Sequence, residues 1–184
     1  MKKHYSILLL CFSITTILAQ GEIKPAEGYT PQIGIMVDML EEIKGLIEEQ
    51  TRDLNQTETD FLFDEQANSI GAMVMHIAAT EAYIQVETLE GRQWTDEERV
   101  FWSAAGGLGE ESRTKLKGKP ITYYLDLWNE TRKKTLAGLK TKDDTWFAES
   151  IGEGMNNHWA WFHILKHSAN HRGQIALVKA RLPK

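Results

Sequence analysis

The stretch Ile33-Gly34-Ile35-Met36-Val37-Asp38-Met39-Leu40-Glu41-Glu42-Ile43-Lys44-Gly45-Leu46-Ile47 sets the architecture. Its apolar positions Ile33, Met36, Val37, Leu40, Ile43 and Ile47 recur at steps of three and four, which predicts a helix with one face turned to a core. The polar run Glu48–Asn55 then ends it. Downstream, Ser69 stands where a cap would open a second helix carrying Ile70, Met73, Val74, Ile77 and Ile84. Pro120 stands at the start of a third, with Ile121, Tyr124, Leu125, Trp128 and Leu139. A fourth runs from about Asn157 to Leu182, where Pro183 stops it.

Four long amphipathic segments and no alternating strand pattern predict an all-α fold, a four-helix bundle with one long connection between helices 2 and 3. That connection, Glu87 to Lys119, reads as a loop flanking a pocket. Its glycines, Gly106, Gly107 and Gly109, lack the Lys-Ser/Thr and the preceding strand that a phosphate cradle needs.

The N-terminus reads as an address. Lys2 and Lys3 precede an apolar run from Ile7 to Leu18, and Ala19 offers a small residue for cleavage. Twelve helical residues span about 18 Å, short of the ~30 Å hydrocarbon core of a membrane. Residues 1–20 are therefore expected to be a signal peptide and 21–184 a single domain, exported to the periplasm or secreted, with no membrane attachment after cleavage. The only cysteine, Cys11, lies in the apolar run, so the mature chain would have no disulfide and no thiolate ligand.

Removing Lys2 and Lys3 takes 21 basic residues to 19 against 26 acidic, a net of −7. Such a chain repels phosphate backbones, and nucleic acid is not an expected partner. Lys115, Lys117 and Lys119, and the run Arg132, Lys133 and Lys134, read as solvated faces.

The chemistry is concentrated in His163-Ile164-Leu165-Lys166-His167-Ser168-Ala169-Asn170-His171. Imidazoles four residues apart lie on one helix face and can reach one cation with bonds of roughly 2.0–2.1 Å. His163 and His171 are about 12 Å apart along the axis, so the run supplies one chelating pair and one histidine over. With His167 at zero on the wheel, His171 falls near 40°, Gln174 near −20°, Val178 near 20° and Ile164 near 60°, at about 100° per residue. The histidines thus share an inward arc with apolar residues, where unpaired nitrogens cost about 1–3 kcal/mol each. His76, between Met75 and Ile77 on the second helix, is the natural third ligand, although one such histidine alone also reads as a hydrogen-bonded core-edge residue. His158 reads as a cap or surface residue. No His-Glu-x-x-His, Glu-x-x-His or Gly-x-Ser-x-Gly occurs, so no general base or nucleophile is named.

The segment His167-Ser168-Ala169-Asn170-His171-Arg172-Gly173-Gln174-Ile175 resembles the closing-helix signature of the DinB-like superfamily, the YfiT-type four-helix bundles. Ser69-Ile70-Gly71-Ala72-Met73-Val74-Met75-His76-Ile77 resembles that family's second helix, and the resemblance covers most of residues 31–182. It implies one divalent metal held by His76, His167 and His171. Gln174 and His163 are then supporting or pocket residues. Imidazole ligation suits zinc or nickel, or iron or copper, over magnesium or calcium.

Characterised relatives include transferases and isomerases that use low-molecular-weight thiols, and others classed as metal-dependent hydrolases. Such thiols are mainly cytoplasmic, so export would separate the chain from that co-substrate. The expected function is a metal-dependent hydrolase or transferase acting on a small molecule. The alternatives are a non-catalytic metal-binding or structural protein and, third, a metal carrier. The resemblance also implies a homodimer.

Overall fold

A computed structural model describes residues 21–183. The expected signal segment, residues 1–20, lies outside the described residues. The long helices are α1 (Pro31–Thr51), α3 (Ile70–Ile84), α6 (Ile121–Leu139) and α8 (Asn157–Lys179). Shorter ones stand between them: α2 (Gln56–Thr59), α4 (Asp96–Gly106), α5 (Glu110–Lys115) and α7 (Asp144–Ala148). A two-stranded hairpin, β1 (Ser150–Gly152) and β2 (Met155–Asn156), precedes α8. The chain is all-α in character, and its four long helices form the expected bundle. Among the described residues, no helix is long and apolar enough to cross a membrane.

Local signals explain the helix starts. The Ser69 hydroxyl accepts the Ala72 N–H at 3.2 Å and opens α3. Asn156 does the same for α8 through the Trp159 N–H at 2.8 Å. The first turn of α1 has Pro31 at its start, and a distant residue caps it. The Asp144 carboxylate of α7 accepts from the N–H groups of Gln32 and Ile33 at 3.1 and 3.3 Å.

The bundle interior is filled by large side chains, among them Trp128, Trp161, Tyr124 and Phe147, all fully buried. Ile84 clusters with Ala160, Trp161 and Ile164, while Met73 clusters with Ile175 and Val178. Helices α3 and α8 therefore lie antiparallel. Helix α3 also approaches α6 closely at Gly71, where a Cβ would stand 2.5 Å from Cε2 of Tyr124. Only glycine fits there without displacing the ring.

Two readings of the sequence need correction. The connection between the second and third long helices is not an open loop. It continues α3 through a π-helical turn, Gln85–Leu89, and then carries α4 and α5. Helix α4 opens on a capping box: Thr95 accepts the Glu98 N–H at 3.2 Å, and Glu98 accepts the Thr95 N–H at 2.8 Å.

Arg132 is not on a solvated face. It is 2% exposed and pairs with the fully buried Glu81 through two hydrogen bonds of 2.7 and 2.8 Å. Trp128 Nε1 and the Thr135 hydroxyl also donate to Glu81, and Arg132 donates to the Leu40 carbonyl at 2.6 Å. This network ties α1, α3 and α6 together.

Candidate metal centre

Helix α3 carries His76 towards α8, and α8 carries His167 and His171 on one face, four residues apart. The three rings converge. Nε2 of His167 lies 3.1 Å from Nε2 of His76 and 3.1 Å from Nε2 of His171. One nitrogen from each falls within 4.8 Å of the others. Two imidazole nitrogens bonded to one ion at about 2.0–2.1 Å, at angles of roughly 95–110°, stand roughly 3.0–3.4 Å apart. The two separations that His167 makes, 3.1 Å each, fall inside that range.

The surrounding groups fix which nitrogen carries the proton in two of the rings, His76 and His171. His76 Nδ1 donates to the carbonyl of Ala105, in the last turn of α4, at 2.6 Å. His171 Nδ1 donates to Oε1 of Gln174 at 2.8 Å. Each donation leaves Nε2 as a lone pair pointing at the shared centre, the tautomer a metal requires. His167 Nε2 carries at most one proton, so it can donate to only one of its two neighbours, and the other pair of nitrogens is left facing without a hydrogen. A cation between them removes that conflict, so the donor set fits a divalent ion.

Electrostatics point the same way. Burial, followed by the neighbouring imidazoles of His171, His76 and His163, pulls His167 down to about 3. Burial also lowers His76 against the raising effect of the Ala105 carbonyl, and lowers His171 together with the nearby His76. The rings are thus neutral at physiological pH, the form that ligates metals.

His163 is not among the converging groups. It lies one turn back on α8, stacked between Trp159, with centroids 5.3 Å apart, and His167, 5.9 Å away. Gln174 touches the centre through His171. His158 is exposed and stacks on Phe147 at 4.4 Å, while Asn156 is the residue that caps α8. Arg172 is exposed. The contact of His76 with Ala105 was missed in the sequence because α4 was not recognised as a helix. The Thr95-x-x-Glu98 pattern was the signal available for it.

Residues 35–183 match the family model described as mycothiol-S-transferase. The chain belongs to the mycothiol-S-transferase family. No curated protein matches it. The match spans both helices that bring the histidines together, and the mycothiol-S-transferase family sits within the DinB-like superfamily that the two motifs resemble. Of the two enzymatic branches implied by that resemblance, hydrolase and thiol transferase, the match falls in the second. As a mycothiol-S-transferase family member, the chain is a transferase-like enzyme with three histidines placed to bind a metal ion.

Proposed function

We propose that this protein transfers a low-molecular-weight thiol, mycothiol or a close analogue, to an electrophilic small molecule at a centre formed by His76, His167 and His171. The observation that carries this reading is the meeting of three Nε2 atoms in a chain whose family is named for thiol transfer. Zinc or nickel is the ion this all-imidazole set would hold. When bound, such an ion supplies positive charge that favours the deprotonated thiol and leaves coordination positions open.

The chain's own groups prepare the site. The Ala105 carbonyl holds the His76 ring, and Gln174 holds that of His171, each through an Nδ1–H hydrogen bond. Those bonds keep two of the three neutral nitrogens, those of His76 and His171, aimed at the point that His167 also faces, so little reorganisation of these two rings is needed on binding. The transfer forms a sulfur–carbon bond at the electrophile and breaks the bond to its leaving group. The leaving group departs with the electron pair, and the thiol proton goes to solvent.

Export through residues 1–20 remains part of the proposal, and it would require the thiol to be met outside the cytoplasm. Fractionation of cells producing the full chain, with N-terminal sequencing, tests it. A processed chain starting near Gln20 in the exported fraction is expected, and an intact Met1 in the cytoplasm would end that part.

The activity is tested with purified mature protein, assayed for metal content and for conjugation of a thiol to an alkyl halide. About one equivalent of metal and turnover that both vanish in His76→Ala are expected. Metal-loaded protein that conjugates no thiol across a panel of electrophiles would refute the transfer.

A further inference from the structure

Helix α3 carries a second feature on the stripe that holds His76. Four and seven residues on, Thr80 and Tyr83 lie on the same side of the helix, about 6 and 10 Å along its axis. With Ala79, Trp94 and Gly106 they line a cleft of about 220 Å³. Gly106 follows Ala105, whose carbonyl holds His76, so the cleft and the histidine centre share the C-terminal end of α4. The two are thus neighbours along α3 and at the end of α4.

The lining defines the chemistry of an occupant. Tyr83 and Trp94 meet edge to face, with centroids 5.4 Å apart at 89°, and form an aromatic wall. Tyr83 is 46% exposed despite its size, so its ring is free to cover a ligand. The Thr80 hydroxyl donates to the His76 carbonyl at 2.9 Å, so its proton is already used within the helix. Among the described residues, no charged side chain lines the cleft. A cavity of about 150 Å³ is enough for benzene, so this one has room for a substituted single ring.

We infer that this cleft is the acceptor subsite: it seats a neutral, planar aromatic portion of the electrophile with its reactive carbon turned towards the three histidines. The inference rests on the thiol-transfer reading above. With a benzyl halide, the thiol sulfur bonds to the benzylic carbon, the carbon–halogen bond breaks, halide leaves with the electron pair, and the thiol proton goes to solvent.

The test separates binding from turnover. Unreactive 4-bromobenzyl alcohol is soaked into crystals of the metal-loaded mature protein and located by bromine anomalous scattering. It is also titrated in solution against wild type, Tyr83→Ala, Trp94→Ala and Tyr83→Phe. Bromine between Tyr83 and Trp94 is expected, with binding at least tenfold weaker in both alanine variants and retained in Tyr83→Phe. Metal content and melting temperature, measured alongside, show that the variants are folded. In turnover, the preference for 4-bromobenzyl bromide over methyl iodide should fall at least tenfold in each alanine variant. Bromine elsewhere, or alanine variants that bind and discriminate like wild type, would overturn the subsite whatever the turnover. Bromine in the cleft of a protein that transfers no thiol would support the subsite and refute the transfer.

Discussion

His76 Nε2 lies 3.1 Å from His167 Nε2, although the two residues are 91 positions apart in the chain. His167 Nε2 faces both His76 and His171 and can donate to only one of them, so the closeness of the three rings is stable only with a cation between them or with a rearranged set of protons. His76→Ala or His167→Ala should therefore lower bound metal from one equivalent to less than a tenth. His163→Ala should leave it intact, since that ring only stacks on His167. A metal present at 1,000 times its dissociation constant adds about 4 kcal/mol of stability. Chelation should then lower the melting temperature by roughly 10 °C, at about 2–4 °C per kcal/mol for a chain of this size. Elemental analysis and thermal melts read both effects. Full occupancy in His76→Ala would show that the three rings are not a ligand set.

The partners behind the rings should matter separately from the rings themselves. Gln174→Leu removes the acceptor for His171 Nδ1 without removing a donor to the metal. Loss of such a partner typically weakens metal affinity by about 10–100-fold. Competition against a chromophoric chelator measures it, and an unchanged affinity would mean that Gln174 does not orient His171.

The bundle and the ligand pair were legible because both rest on helical spacing. Met36, Leu40 and Ile47 mark a buried face, and His167 and His171 mark one cation-binding face, through the same 3.6-residue period. His76 was legible only beside that pair, since one histidine among apolar residues has no period of its own. Arg132 was misread for a related reason. Its neighbours Lys133 and Lys134 are exposed, and nothing local shows that Glu81, 51 residues earlier, waits inside the bundle to receive it. The Tyr83–Trp94 cleft depends on a loop and two helices meeting, and the path of α4 across α3 is set by tertiary packing.

Glu81 and Arg132 give the fold a dependence on acid. Burial pushes the Glu81 carboxyl up. The charge of Arg132 and hydrogen bonds from Arg132, Thr135 and Trp128 more than offset that, and hold it below the ordinary carboxylate range. A carboxyl lowered on folding stabilises the native state fully above its unfolded value of about 4.3. That contribution is lost as the pH falls from there through the folded value. Urea midpoints should thus fall between pH 5 and pH 3, at least in part from this residue, and Glu81→Gln should flatten that slope. Arg132→Met, which leaves a buried carboxylate unpaired, should cost about 3–5 kcal/mol at pH 7. A loss below 1 kcal/mol would mean that water reaches the network.

Gly71 tests the approach of α3 to α6. Its Cβ would fall 2.5 Å from the buried Tyr124 ring, so Gly71→Ala forces the helices apart or the ring off its rotamer. Overpacking of this kind costs typically about 1–3 kcal/mol, against a helix-propensity gain of up to about 1 kcal/mol for alanine over glycine. Net destabilisation is expected in urea melts, and Gly71→Ala with Tyr124→Leu should recover part of it. A more stable Gly71→Ala would show that the Tyr124 ring moves freely.

Helix α4 connects the capping box at its start to the His76 contact at its end. Thr95→Ala removes the hydroxyl that accepts the Glu98 N–H, at a cost of about 1 kcal/mol to the helix. The mutation lies far along α4 from Ala105 and touches no histidine, so any change in metal affinity must pass through the position of the Ala105 carbonyl. A weakening of at most about fivefold is expected, the equivalent of about 1 kcal/mol, with faster hydrogen exchange along Asp96–Gly106. Faster exchange with affinity untouched would separate α4 from the histidine centre, and the carbonyl of Ala105 would then be a neighbour of His76 with no part in aiming it.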